Sequence, residues 1–373
     1  MRTCLIYLNL LFSIVLFAQK KDPDNILILK GHTAPVNTVE FSADDKILLS
    51  GSDDRLIKKW DAESGEMLQE TVAHFGPVKY ILSLDDGATF MSAGDKVIKL
   101  WDMNLEQQEN ILSHNTYVWS FDVDKNKQYL VSGTYEKKFY IWDLNKMEIK
   151  ARPEAHEKTV LSVCYSRNGK YIASGSLDEK VFIWNAVNIE TEKAGIGHSD
   201  NIYDLEFTPD GKYLVSVSKD KKLKVWETES GAHYKTMVGH TDAIMSVSIH
   251  PNGKFCITGS LDGTIRLWNL ETGDNIYTYI DHNGAVNSVR FSHNGNYFAS
   301  ASSDNTVIIW RFSPRVIAMF YYIDEIENEF EDPLFEPKRK GENKTDFEIR
   351  ELKANEKREE IYLKYYNKYL NNK

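Results

Sequence analysis

Apolar residues along most of the chain alternate with polar ones at the spacing of short strands. In one stretch Val286, Val289 and Phe291 are followed by Tyr297 and Ala299, then by Val307 and Ile309. Between such runs lie Asn168-Gly169, Asp210-Gly211, Asn252-Gly253 and Asn294-Gly295, pairs that suit a hairpin turn with positive φ. The whole pattern returns at a fixed interval. Trp60, Trp101, Trp142, Trp184, Trp226, Trp268 and Trp310 are spaced 41, 41, 42, 42, 42 and 42 residues apart. A period of that length predicts a solenoid, an array or a propeller built from one repeated supersecondary unit.

Other residue types keep the same beat. Histidines recur at His32, His74, His114, His156, His198, His240 and His282. Six residues before each tryptophan stands an acid: Asp54, Asp95, Glu136, Asp178, Asp220, Asp262 and Asp304. Nine or ten before it stands a hydroxyl: Ser50, Ser92, Ser132, Ser174, Ser216, Thr258 and Ser300. Gly31-His32, Gly197-His198 and Gly239-His240 open units that close with Trp60-Asp61, Trp101-Asp102 and Trp142-Asp143 in the better-kept repeats. In these positions the chain resembles the WD-repeat β-propellers over about residues 25 to 313.

The resemblance implies an all-β, seven-bladed propeller of four-stranded antiparallel blades, followed by a short, mainly helical C-terminal extension. Blades stack radially because one small sheet cannot bury both its faces. The resemblance also implies that acid, histidine, hydroxyl and indole N–H form a hydrogen-bonded relay inside each blade. Repetition favours that structural role over catalysis, since a catalytic site is normally built once. Glu136 carries an extra methylene, and blade two is one residue shorter before Asp95, so those two relays are expected to be strained or open. Residues 26 to 29 are expected to supply the outer strand of blade seven and latch the ring, with residues 316 to 322 as the competing candidate.

The ends of the chain read differently. Residues 1 to 18 have the order of a signal peptide: a positive start, an apolar run from Leu5 to Phe17, and Ala18 at the expected cleavage point. An exported protein, periplasmic or extracellular and without a membrane span once that segment is removed, is therefore expected. Removal takes Cys4 with it. Cys164 and Cys256 lie in different repeats and are expected to be free, buried thiols. Residues 314 to 373 are densely charged, with a capping box at Thr345-Asp346-Phe347-Glu348 and a helix expected from about 345 to 370. The aromatic end of that helix, from Ile361 to Leu370, suggests docking onto the propeller flank or a second protein. The tail resembles appendages of exported bacterial WD-repeat proteins.

Composition narrows the function. With 45 Lys and Arg against 55 Asp and Glu, a net charge of −10, the chain offers no long-range attraction to a phosphate backbone, so nucleic acid is not the expected partner. No catalytic, metal-binding or cofactor-binding motif is present, and neither enzyme activity nor a cofactor is expected. The resemblance places the fifth residue after each repeat histidine, and the residue before each acid, on the top face. Blades three to six thereby contribute Trp119, Tyr135, Leu161, Leu177, Tyr203, Met245 and Leu261, joined by Tyr117 three residues after His114, whereas blades one, two and seven contribute polar residues. Trp119 is the one tryptophan outside the period. Such an apolar arc predicts a surface that binds a peptide or protein partner on a monomeric ring. A carbohydrate or envelope-polymer ligand, or a place as the accessory domain of a secreted enzyme complex, are the alternatives.

Overall fold

The Asn-Gly and Asp-Gly pairs close hairpins as their chemistry requires. In the computed structural model, which describes residues 25 to 371 except 85, 86, 155 and 190, Gly169, Gly211, Gly253 and Gly295 all have φ between 70° and 74°. Hairpin follows hairpin into seven antiparallel four-stranded sheets. Six of them are made from consecutive strands, running from the inner strand nearest the axis to the outer strand at the rim.

The seventh sheet is completed from elsewhere in the chain. Asn25–Lys30 pairs antiparallel with Thr306–Arg311, Leu29 lying opposite Val307. Leu29 is buried in the interface between blades seven and one with Val36, Val39, Leu48, Ala299 and Ile309. The edge of the last blade is therefore covered by the strand that precedes the first. Residues 316 to 322, the competing candidate, are helical. Pro314 sits in the first turn of that helix, where its missing N–H is not needed and its fixed φ favours helix entry.

Each inner strand carries one irregularity that positions the site. Register slips between its first and third residues, at Val36/Thr38, Val78/Tyr80, Val118/Ser120, Val160/Ser162, Ile202/Asp204, Ile244/Ser246 and Val286/Ser288. A bulge of this kind places two residues against one on the partner strand. The first, fourth and sixth positions then enter the core, as Val36, Val39 and Phe41 do. The second, third and fifth are left for the channel. All seven inner strands repeat the slip, so three rings of side chains surround the axis.

The tryptophans punctuate the interfaces between blades. All seven periodic ones are buried, and Gly197 is required because a Cβ there would lie 2.8 Å from the Trp226 ring. Cys164 and Cys256 are buried free thiols.

Residues 312 to 373 form a second compact unit. Helix α1 (Pro314–Glu329) packs against helix α2 (Lys344–Asn371) through Ala318, Ile326, Ile361, Tyr362 and Tyr365. Lys364 and the Tyr365 hydroxyl both bind Glu329, at 2.6 and 2.7 Å. The aromatic end of α2 is thus partnered within its own hairpin. The expected cap shifts as well: Asn343 Oδ1 accepts from the Asp346 N–H at 2.8 Å, which opens α2 ahead of Thr345. Asn is as good a cap as Thr, and the Asn343 side-chain amide donates to the Asp346 carboxylate at 2.6 Å. No helix among the described residues is long and apolar enough to cross a membrane.

Candidate functional site

Five blades hold a complete relay. In blade four the Trp184 Nε1–H donates to Ser174 Oγ at 2.9 Å, Ser174 meets His156 Nε2 at 2.9 Å, and His156 Nδ1 meets Asp178 at 3.0 Å. Asp54, Asp220, Asp262 and Asp304 bind His32, His198, His240 and His282 in the same way, at 2.8 to 3.0 Å. Trp60, Trp226, Trp268 and Trp310 donate to Ser50, Ser216, Thr258 and Ser300. Burial alone would raise the Asp178 carboxyl, but the bonds from His156 and the Glu157 N–H hold it down at about 2. Each acid also accepts the N–H of the residue after its histidine, as Asp54 does from Thr33. The chemistry is that of buried polar groups pairing one another.

Blades two and three depart from this pattern. His74 still meets Ser92 at 2.8 Å and Trp101 still donates to Ser92, yet His74 Nδ1 is buried without a partner. The turn there has only Asp95 and Lys96 between the paired residues Gly94 and Val97, and Asp95 itself takes the left-handed conformation at φ 56°. In five other blades the residue after the acid takes it: Arg55, Glu179, Lys221, Gly263 and Asn305. The shift turns the Asp95 carboxylate away from His74. In blade three Glu136 accepts from the Tyr140 hydroxyl at 3.0 Å, His114 Nδ1 is left unpaired, and the Trp142 N–H donates to His114 Nε2 at 3.2 Å instead of to Ser132. Burial drives the imidazoles of His74 and His114 down to about 4.

At the axis the bulges build a cavity of about 440 Å³. Its wall includes Asn37, Lys79, Trp119, Leu161, Tyr203, Met245 and Asn287, the second residue of every inner strand, joined by Tyr135 and Leu177. On the polar side these groups are tied down internally. Asn37 donates to Asp53 and to the Val78 carbonyl, Lys79 binds Asp53 at 2.9 Å, and Asn287 donates to the Val36 carbonyl and Ser303. On the other side the wall is aromatic and aliphatic. The Trp119 indole N–H there is buried with no acceptor.

The third and fifth ring positions close the floor and splice the blades together. An inner strand is an edge strand, and its free N–H groups need acceptors. The preceding blade supplies them: Ser120 to Val163, Ser162 to Leu205, Asp204 to Val247, Ser246 to Val289, Asp122 to Tyr165, Glu206 to Ile249 and Ser248 to Phe291. Arg290 spans the channel, donating to the Tyr80 hydroxyl at 2.7 Å and the Val247 carbonyl at 3.3 Å, with Glu40 at 3.4 Å and Glu206 at 4.0 Å. Burial raises both glutamates to about 7, against the opposing pull of Arg290.

Relay, blades and channel point to one family, and the sequence matches it across all seven blades. The WD40 family, described as WD domain, G-beta repeat, matches residues 24–61, 65–102, 106–143, 148–185, 191–227, 231–269 and 273–311. The protein is a WD40-repeat propeller. Each matched WD40 segment begins with the outer strand of one blade and ends with the third strand of the next, which is why the first starts at the latch. WD propellers bind protein partners. The chain is 30% identical over 132 residues to a bromodomain and WD repeat-containing protein of Dictyostelium discoideum, covering 33% of this chain and 6% of that one. It is 26% identical over 155 residues to a coronin-like protein of Saccharomyces cerevisiae, covering 36% and 24%. To a nuclear distribution protein of Uncinocarpus reesii it is 29% identical over 157 residues, covering 35% and 34%. The matches thus span between 6% and 34% of the length of these relatives, all eukaryotic.

Of the eight side chains expected on the WD40 top face, Trp119, Tyr135, Leu161, Leu177, Tyr203 and Met245 meet around the cavity. Tyr117 and Leu261 do not line it and stand exposed. One residue escaped the sequence reading. Phe75 directly follows His74 in a blade read as polar, and it is 95% exposed. Its signal was the repeat position: the residue after each repeat histidine is exposed in all seven blades, and only blade two places an aromatic ring there.

Proposed function

We propose that the protein is a non-catalytic interaction scaffold that binds a peptide or protein loop over the central cavity, on the arc from blade three to blade six. One observation carries this reading. The polar half of the cavity wall is consumed by internal hydrogen bonds, whereas Trp119, Leu161, Leu177, Tyr203 and Met245 present apolar surface to an open mouth. A few large side chains in a partly desolvated pocket make a recognition hot spot. We place the protein outside the cytoplasm on residues 1 to 18, which lie outside the described residues.

The test is crosslinking and pull-down of the tagged full-length protein from its native envelope fraction, comparing wild type with Trp119→Ala/Tyr203→Ala. Partner recovery should fall at least about tenfold in the variant; equal recovery discards the reading. Retention by a cell-envelope polysaccharide in affinity electrophoresis, lost in the same variant, replaces the protein partner with a sugar. The mature N-terminus in each cell fraction tests export.

A further inference from the structure

Among the described residues, every seam between neighbouring inner strands but one is crossed at the channel by a side-chain hydrogen bond. From blade three onward the third residue of each strand accepts the N–H of the fourth residue of the next: Ser120 from Val163, Ser162 from Leu205, Asp204 from Val247 and Ser246 from Val289. At the two seams around blade one the second residue takes over. Asn287 donates to the Val36 carbonyl at 2.8 Å, and Asn37 to the Val78 carbonyl at 2.9 Å. Blade two makes no such bond to blade three.

The residue types of blade two explain the gap. Lys79 turns back to Asp53 of blade one at 2.9 Å, Tyr80 engages Arg290 across the channel at 2.7 Å, and Leu82 has no polar group. The Tyr80 ring stands edge-on to Phe121, centroids 5.3 Å apart, where the other six blades place Ser, Thr or Asp. On the blade-three side the Val123 N–H folds onto the adjacent Asp122 carboxylate at 2.8 Å. Near its top the seam is pinned by a backbone bond from the Val118 N–H to the Asp95 carbonyl at 3.0 Å. Below that, Ala93, Val118 and Phe121 pack as an apolar cluster. Apolar contacts are non-directional, so they let two strands part or slide where a ladder of acceptors would not.

The strand held in this way carries Trp119. Lys79 and Trp119 line the cavity from the two sides of the seam, and the Trp119 N–H is buried without an acceptor. We propose that the seam between blades two and three is a hinge, pinned at Val118 and unspliced below it, at which the ring opens and the cavity wall carrying Trp119 moves. The hinge gates the cavity assigned above and rests on that reading for its consequence, whereas the opening itself is measured without a partner. Such sub-global opening is drawn from the least bonded part of a fold.

Thiol labelling of the full-length protein tests it. Ala93→Cys places a probe in this seam, and Ala301→Cys places one at the equivalent position of the seam between blades seven and one; both alanines are buried and follow a relay serine. Native Cys256, buried in the cluster shared by blades five and six, is the internal control. With each rate corrected for that of the unfolded chain, the thiol introduced at 93 should react at least about tenfold faster than the one at 301 or Cys256, and its rate should hardly change with urea below the transition. Hydrogen exchange of the unsubstituted protein guards against a variant that misfolds: residues 118–123 should exchange at least about tenfold faster than 160–165, 202–207, 244–249 and 286–291. A smaller ratio in exchange, or labelling at 93 that tracks global unfolding, overturns the hinge and leaves the cavity reading standing. Equal partner recovery by Trp119→Ala/Tyr203→Ala with both ratios intact overturns the gating of that cavity and leaves the opening alone.

Discussion

Asp95 lies one turn residue out of step with His74. Its carboxylate binds the Gly76 N–H at 2.8 Å, and the His74 Nδ1 that its counterparts would bind is buried without a partner. One missing residue in a hairpin thus decides whether a buried histidine is paired.

The relays should therefore contribute unequally to stability. Asp178→Ala strands His156 Nδ1 and the Glu157 N–H and is expected to cost about 1–3 kcal/mol. Glu136→Ala removes one bond to Tyr140 and should cost less than about 1 kcal/mol. Urea unfolding of the two variants gives the ranking, and equal losses would contradict it.

The latch should behave as part of the core. Leu29→Ala is expected to destabilise by about 2–4 kcal/mol, and deletion of residues 19 to 30 should lower the melting temperature sharply. An unchanged melting curve for the deletion would refute the closure by Asn25–Lys30.

The channel glutamates make stability depend on pH in a fixed direction. Glu40 and Glu206 have folded values raised from 4.5 to about 7, so the folded state holds their protons more tightly than the unfolded chain. Their contribution is fullest below about pH 4.5 and is lost as pH rises through 7. His74 and His114 act oppositely: lowered from 6.5 to about 4, they weaken the fold as pH falls through that interval. Relative to wild type, Glu40→Gln/Glu206→Gln should gain stability progressively between pH 4.5 and 7.5, as read by chemical denaturation across that range.

The tail hairpin depends on one apolar seam. Ile361→Ala opens a cavity beside Ala318 and Ile326 and is expected to cost about 2–4 kcal/mol of hairpin stability. Native-state hydrogen exchange in Lys344–Asn371 should speed up accordingly.

Much of this architecture was written in linear spacing. Trp60 to Trp310, the seven histidines and the Asn-Gly turns carry the blade count and strand order, because a repeat needs only local hydrogen bonds and contact with its neighbours. The shortened interval before Asp95 and the longer Glu136 side chain marked blades two and three as irregular. The tail was less legible. A charged helix with an aromatic end has no intrinsic partner, and only the fold seats Tyr362 and Tyr365 on α1.

The sequence by itself determined seven repeats and the two that depart from the pattern, since these follow from residue type at a fixed period, while the relays and the top-face positions were implied by the resemblance to the WD-repeat propellers. The tertiary structure decided what the period cannot encode. The bulge in each inner strand sends positions two and three toward the axis, closure of the ring brings Arg290 to Glu40 and Tyr80, and the slip at Asp95 leaves His74 Nδ1 buried without a partner. These depend on groups from different repeats meeting in space, where one residue of register changes which atoms face each other.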